Sequence, residues 1–417
     1  MNLFKIAWSN LKVRPLNTFL SVILLAFGVG IISLLLLVEK QISEQFNRNI
    51  KDIDMVLGYK GSPLQLILAN VYHVDAPTGN IKVRDADKIV RSPLIKKAIP
   101  LAYGDNYEKY RIVGTTFDYP RHYGIELADG HSFEKPFQAV LGANVAKETG
   151  LKLGDTFTSA HGLDQAEGEI DDGHSHDTPY RVVGIYARSG TAIDNLILTP
   201  VESVWRIHDH SAEEEHSEEG HDHAHDHDHE LPPIDPMEQE MTAYLLIKRS
   251  PMAQIMLPSM IRDTDLQLAV PAIEVNRLSQ DFGVGMNTMK AIAILIMLLS
   301  FISVFVSLYN SLKERKYELA LMRTMGGRAR KLFMLLLLEG VLLSVIGFVC
   351  GLALSRIGLI WLSGQLKESF HYSLDEMGLE RGELMLFAVT LGVGIVASLL
   401  PALRAFRMDI SKTLSNG

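Results

Sequence analysis

Cysteine is almost missing from this chain: 417 residues contain one, Cys350, inside an apolar run. No disulfide can therefore staple a large domain, and any such domain must hold itself together by its own core. Lysine and arginine are missing from two stretches, His161–Asp177 and His208–Pro233, which together carry sixteen Asp and Glu. That surplus exceeds the formal net charge of −9. The acidity thus belongs to two segments, and the remainder has the basic balance of a positive-inside membrane protein, with no signature of a nucleic-acid partner. No G-x-x-x-x-G-K-[ST] occurs, which excludes a P-loop nucleotide site within the sequence. H-E-x-x-H is also missing, because His229-Glu230 is followed by Leu231-Pro232-Pro233. A zincin-type protease is therefore unsupported, and a membrane protease or other enzyme lacks any recognisable nucleophile or metal signature.

What is present is apolar and concentrated. Thr18–Val38 runs for twenty-one residues without a charge, about 31 Å as a helix and enough to cross a hydrocarbon core. Three more runs follow at Ala291–Tyr309, Leu332–Leu354 and Leu384–Leu403. The first exceeds a signal-peptide core of ~7–15 residues and passes into Glu39-Lys40 without a small-x-small cleavage site, so it reads as a retained anchor. The expected fold is an α-helical membrane protein with four transmembrane helices and a large mixed α/β extracytoplasmic domain between helices 1 and 2.

Basic residues orient the spans. Lys5, Lys12 and Arg14 precede the first. Lys313, Arg315, Lys316, Arg323, Arg328, Arg330 and Lys331 lie between the second and third, and Arg404, Arg407 and Lys412 follow the fourth. The connection between spans three and four instead collects Glu368, Asp375, Glu376, Glu380 and Glu383. Both termini are expected in the cytoplasm. The expected domains are 1–38 for the N-terminal segment and first span, 39–289 for the outer domain and 290–417 for the remaining spans. A cytoplasmic segment, 311–331, falls within the last of these.

Ile42, Phe46, Ile50 and Ile53 share a helical face beyond span one, which predicts an outward stalk. Ile273–Met289 predicts the returning stalk, although Gly283 and Gly285 are poor helix formers. Pro63 suits a first helical turn, with Leu64, Ile67, Leu68 and Val71 on one face. β-branched stretches at Tyr110–Thr116, Phe137–Leu141 and Tyr180–Ile185 predict strands, and Asn144–Thr149 and Pro251–Ile261 short helices.

The segment between spans two and three, SLKERKYELALMRTMGGRARKLFMLLLLEG, reads as a basic helix ended by Gly326-Gly327 and a second helix entering the membrane. It is either an interfacial helix on anionic lipid or an element gripped by a cytoplasmic partner. Glu339 lies about two turns into span three, where an ionisable group suggests function. A structural role, snorkelling or pairing with an arginine of that segment, is the alternative to proton transfer. Gly347 and Gly351 form a G-x-x-x-G suited to close helix packing.

These residues resemble the coupling segment of MacB/FtsX/LolC-type ABC transporter permeases, through Glu314-Arg315, Glu318-Leu319, Leu321-x-Arg323, Met325-Gly326 and the membrane residue Glu339. IAWSNLKVRPLNTFLSVILLAFGVG resembles the family's first span, and VLGANVAKETGLKLGDTF and YRVVGIYARSGTAIDNLILTP its periplasmic core domain. PALRAFRMDISKTL resembles its C-terminal signature, with Ser411 where proline is usual. The resemblance implies a permease subunit in a bacterial inner membrane, paired with a second copy and a separate cytoplasmic ABC ATPase that binds ATP. It also implies a periplasmic lipoprotein, lipid or peptide as the object handled, and no intrinsic cofactor. Glu314, Arg315, Glu318, Leu321, Arg323 and Gly326 would receive the ATPase's motion. Since the chain begins with the anchor, ATP hydrolysis is expected on another subunit.

The histidine-rich segments have no counterpart in that resemblance. His174 and His176 lie in the first, and His208, His210, His216, His221, His223, His225, His227 and His229 in the second. Alternating imidazole and carboxylate offers many overlapping ligand sets for Zn²⁺, Cu²⁺ or Ni²⁺ in place of one preorganised site. Zinc is the expected ligand, held multivalently and released at acid pH. A tolerated low-complexity insertion is the bland alternative. An ATPase-independent, membrane-anchored periplasmic zinc-binding or sensing protein is the alternative function.

Overall fold

The computed structural model describes residues 3–13, 15–160, 178–207, 234–314, 324, 329–370 and 378–406. Among them, four helices are long and apolar enough to cross a membrane: Pro15–Ile50, Pro271–Glu314, Ala329–Phe370 and Arg381–Phe406. Each contains one of the uncharged runs and extends beyond it, and a large mixed α/β domain lies between the first and second. A shorter helix, Leu3–Val13, precedes span one. The chain divides into two compact units, 1–43 with 280–417, and 44–279, so it passes between them inside helices Pro15–Ile50 and Pro271–Glu314.

In the span unit, small residues set the helix spacing. A Cβ on Gly351 would lie 2.7 Å from Val29 Cβ and 2.9 Å from the Ala26 carbonyl, and one on Gly347 would meet Leu25 at 2.5 Å. Between spans three and four, a Cβ on Gly340 would lie 2.7 Å from the Gly394 carbonyl.

The 44–279 unit is built on a ten-stranded mixed sheet. Its strands are β1 (Met55–Tyr59), β2 (Ile81–Lys82), β3 (Ile95–Tyr107), β4 (Tyr110–Thr115), β5 (Leu127–Gly130) and β6 (Gln138–Leu141). They continue with β7 (Thr156–Phe157), β8 (Tyr180–Tyr186), β9 (Leu196–Pro200), β10 (Glu240–Met241), β11 (Ala243–Lys248) and β12 (Leu266–Ala269). The main order is β12-β1-β11-β3-β4-β9-β6-β8-β5, with β7 on β8, while β10 and β2 form a separate ribbon. Pairs β4/β9 and β6/β8 are parallel, and the other pairs antiparallel.

Period-2 alternation sorts side chains onto the two faces. Val56, Leu101, Val113, Val140, Leu198 and Leu245 point to one face and join a single core across the sheet. Met55, Leu57, Tyr244 and Leu246 point the other way, to a cluster closed by helices Val83–Val90, Val201–Ile207 and Ala253–Met260. Tyr110, Ile112, Leu141, Tyr180 and Ile197 form a second cluster of their own. Burial on both faces explains why β1, MVLGY, reads as one apolar run with no polar alternation.

The stalk helix ends at Ile50, so Ile53 lies beyond it and is buried in the core with Phe46 and Ile50 against it. The helix from Pro63 begins on an Ser62 cap, then widens into a π-helical turn, Leu68–Tyr72, before His73 adopts φ +57°. The returning helix runs through Gly283 and Gly285, and no atom lies within 4 Å of a Cβ placed on either.

Candidate functional site

Of the residues expected to receive force, Glu314 ends helix Pro271–Glu314. Arg315, Glu318, Leu321, Arg323 and Gly326 lie outside the described residues. The described flanks of the segment converge: Leu312, Leu332 and Leu336 share a cluster with Ala402 and Ala405 of the fourth span. The Arg404 guanidinium stacks over the Tyr309 ring at 5.0 Å. Apolar burial therefore ties the inner ends of spans two, three and four to one another where the segment begins and ends.

Glu339 is 2 % exposed and accepts a hydrogen bond from Asn10 Nδ2 at 2.5 Å. Its described partner is thus the short N-terminal helix, whose Ala7 is fully buried. Arg315, Arg323 and Arg328 of the segment, candidates for pairing with this carboxylate, lie outside the described residues; among those described, the Asn10 amide bonds it in low dielectric. Gly347 and Gly351 face Leu25, Ala26 and Val29 of span one. The G-x-x-x-G is therefore occupied within the chain.

A second intramembrane pair escaped the sequence reading. Glu383 was counted with the acids of the outer connection; it lies instead in the first turn of the fourth helix, fully buried. Arg356 of span three donates to both its oxygens, at 2.9 and 2.8 Å, and to the Gly378 carbonyl at 2.8 Å. Ser33 of span one donates to the same carboxylate at 2.6 Å and accepts from the Ser355 hydroxyl at 2.9 Å, and the Glu380 N–H adds a bond at 3.0 Å. Lys40 pairs with Glu380 at 2.5 Å. Three spans thus meet on one carboxylate. The available signal was Arg356 itself, a lone cation embedded in LALSRIGLIWL.

In the 44–279 unit a determinate hydrogen-bond chain runs through His73. Tyr103 donates its hydroxyl proton to the Ala69 carbonyl, so at 2.8 Å it must accept from His73 Nδ1–H. His73 Nε2 then accepts from the Tyr119 hydroxyl at 2.7 Å. The Arg111 guanidinium lies 4.5 Å from the Tyr103 ring centre and donates to the Asp75 carbonyl at 3.1 Å. Burial, then the nearby Arg111 charge, push the imidazole down to about 3, so it is neutral.

His174, His176, His208, His210, His216, His221, His223, His225, His227 and His229 lie outside the described residues. Among the described residues no group of three or more His, Cys, Asp or Glu is placed to hold a metal. The flanks of the two histidine-rich segments do come together: Phe157 and Tyr180 bracket the first, Ile207 precedes the second, and all three belong to one core cluster.

Residues 18–223 match the MacB-like periplasmic core domain, and residues 290–410 the FtsX-like permease C-terminal domain. Among solved structures, the chain is similar to the periplasmic region of MacB from Actinobacillus actinomycetemcomitans, at 12 % identity and a TM-score of 0.33, over 56 % of this chain and 95 % of that one. It is also similar to the extracellular domain of the noncanonic ABC-type transporter YknZ from Gram-positive bacteria, at 12 % identity and a TM-score of 0.29, over 51 % of this chain and 98 % of that one. Among curated proteins none matches. Family membership rests on the two domain matches, which succeed one another along the chain, and on four spans with a folded extracytoplasmic domain between the first and second. The chain belongs to the MacB/FtsX family of ABC transporter permeases, as a multi-pass membrane protein with a MacB-like extracytoplasmic core domain and an FtsX-like permease domain.

Proposed function

We propose that this chain is the permease subunit of a MacB-type ABC system in a bacterial inner membrane, with both termini cytoplasmic, working as a homodimer. FtsX-like permease domains are typically non-catalytic, with the ATPase on a partner subunit. In this reading a separate cytoplasmic ATPase closes on ATP and pushes on Glu314, Arg315, Glu318, Leu321, Arg323 and Gly326. The extracytoplasmic domain then changes conformation and acts on a periplasmic lipoprotein, lipid or peptide. The observation that carries the reading is chain continuity: the core domain is entered and left inside the helices that also carry spans one and two. The cluster of Leu312, Leu332 and Leu336 with Ala402 and Ala405 supports it, since a push on the segment would reach three spans at once.

The histidines favour zinc homeostasis as the setting, with the histidine-rich segments as an exchangeable metal store beside the core domain. They also carry the second reading, a membrane-anchored zinc-binding or sensing protein that needs no ATPase. Affinity purification of the tagged chain from its own membranes separates the two. The transporter reading expects an ABC ATPase to co-purify, and Glu318→Ala with Arg323→Ala to weaken that association and the stimulation of ATP hydrolysis. If no ATPase is recovered, and the double variant is harmless while removal of residues 208–230 abolishes function, the zinc-binding reading replaces it.

A further inference from the structure

The last turns of helix Pro15–Ile50 belong to the 44–279 unit and are gripped there by three segments far apart in sequence. From the loop between β8 and β9, the Ala192 N–H donates to Asn49 Oδ1 at 2.7 Å, and the Gly190 carbonyl accepts from Gln45 Nε2 at 3.2 Å. From helix Asp118–Tyr123, the Tyr123 hydroxyl donates to the Asn49 carbonyl at 2.6 Å. His122 Nε2 donates to the Lys51 carbonyl, and Lys51 Nζ donates to the Tyr123 carbonyl at 2.6 Å. From the π-helical turn, the Tyr72 hydroxyl donates to the Phe46 carbonyl at 3.3 Å, with its ring edge-on to Phe46 at 5.1 Å. Asn49 is completely buried, and its Nδ2 donates to the Gln45 carbonyl at 3.1 Å.

Carbonyls at a helix C-terminus lack intrahelical donors, and such ends normally fray into water. Here the core domain supplies the donors, and its bracket is itself preorganised. Buried Asp194 accepts from the Ser189 N–H at 2.9 Å, the Ser189 hydroxyl at 2.7 Å and the Gly190 N–H at 2.8 Å. Gly190 stands at φ +70°, a backbone conformation that favours glycine, and the loop there lies against the Arg48 side chain of the helix. A helix end that can fray absorbs displacement locally. One bonded to three segments passes it on.

We propose that this collar, centred on Asn49, is the joint through which movement of the first helix is handed to the core domain, with Gln45, Asn49, Tyr123 and Asp194 as positioning residues. The inference rests on the ATP-coupled reading above. Its test uses the full-length permease with its co-purified ATPase in lipid nanodiscs, followed by hydrogen exchange with and without ATP and vanadate. In the wild type, nucleotide is expected to change exchange in residues 118–123 and 189–195. Asn49→Ala should abolish that change while ATP hydrolysis continues. The milder double variant Gln45→Met/Tyr123→Phe removes two bonds and leaves Asn49 in place. It should weaken the response with hydrolysis at wild-type values and the protein still folded, its melting temperature lowered only modestly by the lost bonds, a separation that a merely structural role would not produce. A full nucleotide response in both variants, or loss of response only together with loss of folding, overturns the joint. A wild type that hydrolyses ATP with no exchange change in the core domain overturns the ATP-coupled reading itself, and the joint with it.

Discussion

His73 is a half-buried group whose charge state matters to the core domain. Its nitrogens both engage tyrosine hydroxyls, from β3 and from helix Asp118–Tyr123, and the charged group facing it is Arg111. A base whose folded pKa is about 3 binds its proton in the unfolded chain first. Its contribution is therefore complete above the unfolded value near 6.5 and is lost progressively as pH falls toward 3, at no more than about 1.4 kcal/mol per pH unit. Burial also lowers His122, which adds to the same acid limb. Thermal unfolding followed through Trp205 fluorescence should show a falling midpoint between about pH 6.5 and pH 5. His73→Asn removes the titration with a residue that tolerates the left-handed backbone at this position, and should flatten part of that limb. Equal acid slopes in both proteins would show that the imidazole is not the titrating group.

Elements make sharper demands on single positions within the membrane. A Cβ on Gly394 would lie 1.8 Å from Ser344 Oγ and 2.7 Å from the Gly340 carbonyl, whereas nothing lies within 4 Å of one on Gly392. Gly394→Ala should therefore force spans three and four apart at a cost of about 1–3 kcal/mol. Gly392→Ala, half a turn away, should be neutral; comparable melting in detergent for the two variants would refute the packing argument. The outer ion pair obeys different logic. Removing one partner leaves a buried charge, so Arg356→Met or Glu383→Gln alone should cost about 3–5 kcal/mol. Arg356→Met with Glu383→Leu should recover much of that, and a double variant as unstable as the singles would mean that the pair has no special role. The uncharged runs made the spans legible in sequence, and β-branched punctuation did the same for β4, β6 and β8. β1 and β11 were not legible, because burial on both faces removes alternation, nor was β3, where IKKAIPLAYGDNY mixes lysines, Pro100 and Gly104 around an irregular register. The candidate site was harder still. Asn10 and Glu339 are 329 positions apart, and no local pattern in either helix announces the other.

At the scale of the whole molecule, the two histidine-rich segments are inserted within the sequence of the core domain. The residues bracketing them, Phe157, Tyr180 and Ile207, pack in one cluster of described side chains. Replacing 161–177 and 208–233 by short Gly/Ser linkers should therefore leave that cluster, and the melting temperature, close to wild type, since longer loop closures cost only logarithmically. If the segments store metal, the full-length protein titrated with Zn²⁺ should bind several equivalents near neutral pH. Binding should fall as imidazoles protonate below about pH 6.5. The doubly shortened protein should bind none of them, yet still recruit and stimulate its ATPase, because force is proposed to enter near Glu314 and to pass through Asn49. Zinc binding that survives the shortening would move the metal to another part of the chain. Loss of ATPase stimulation without loss of folding would place the histidines inside the coupling route, and the division of labour between metal-holding insertions and a force-bearing helix would fail.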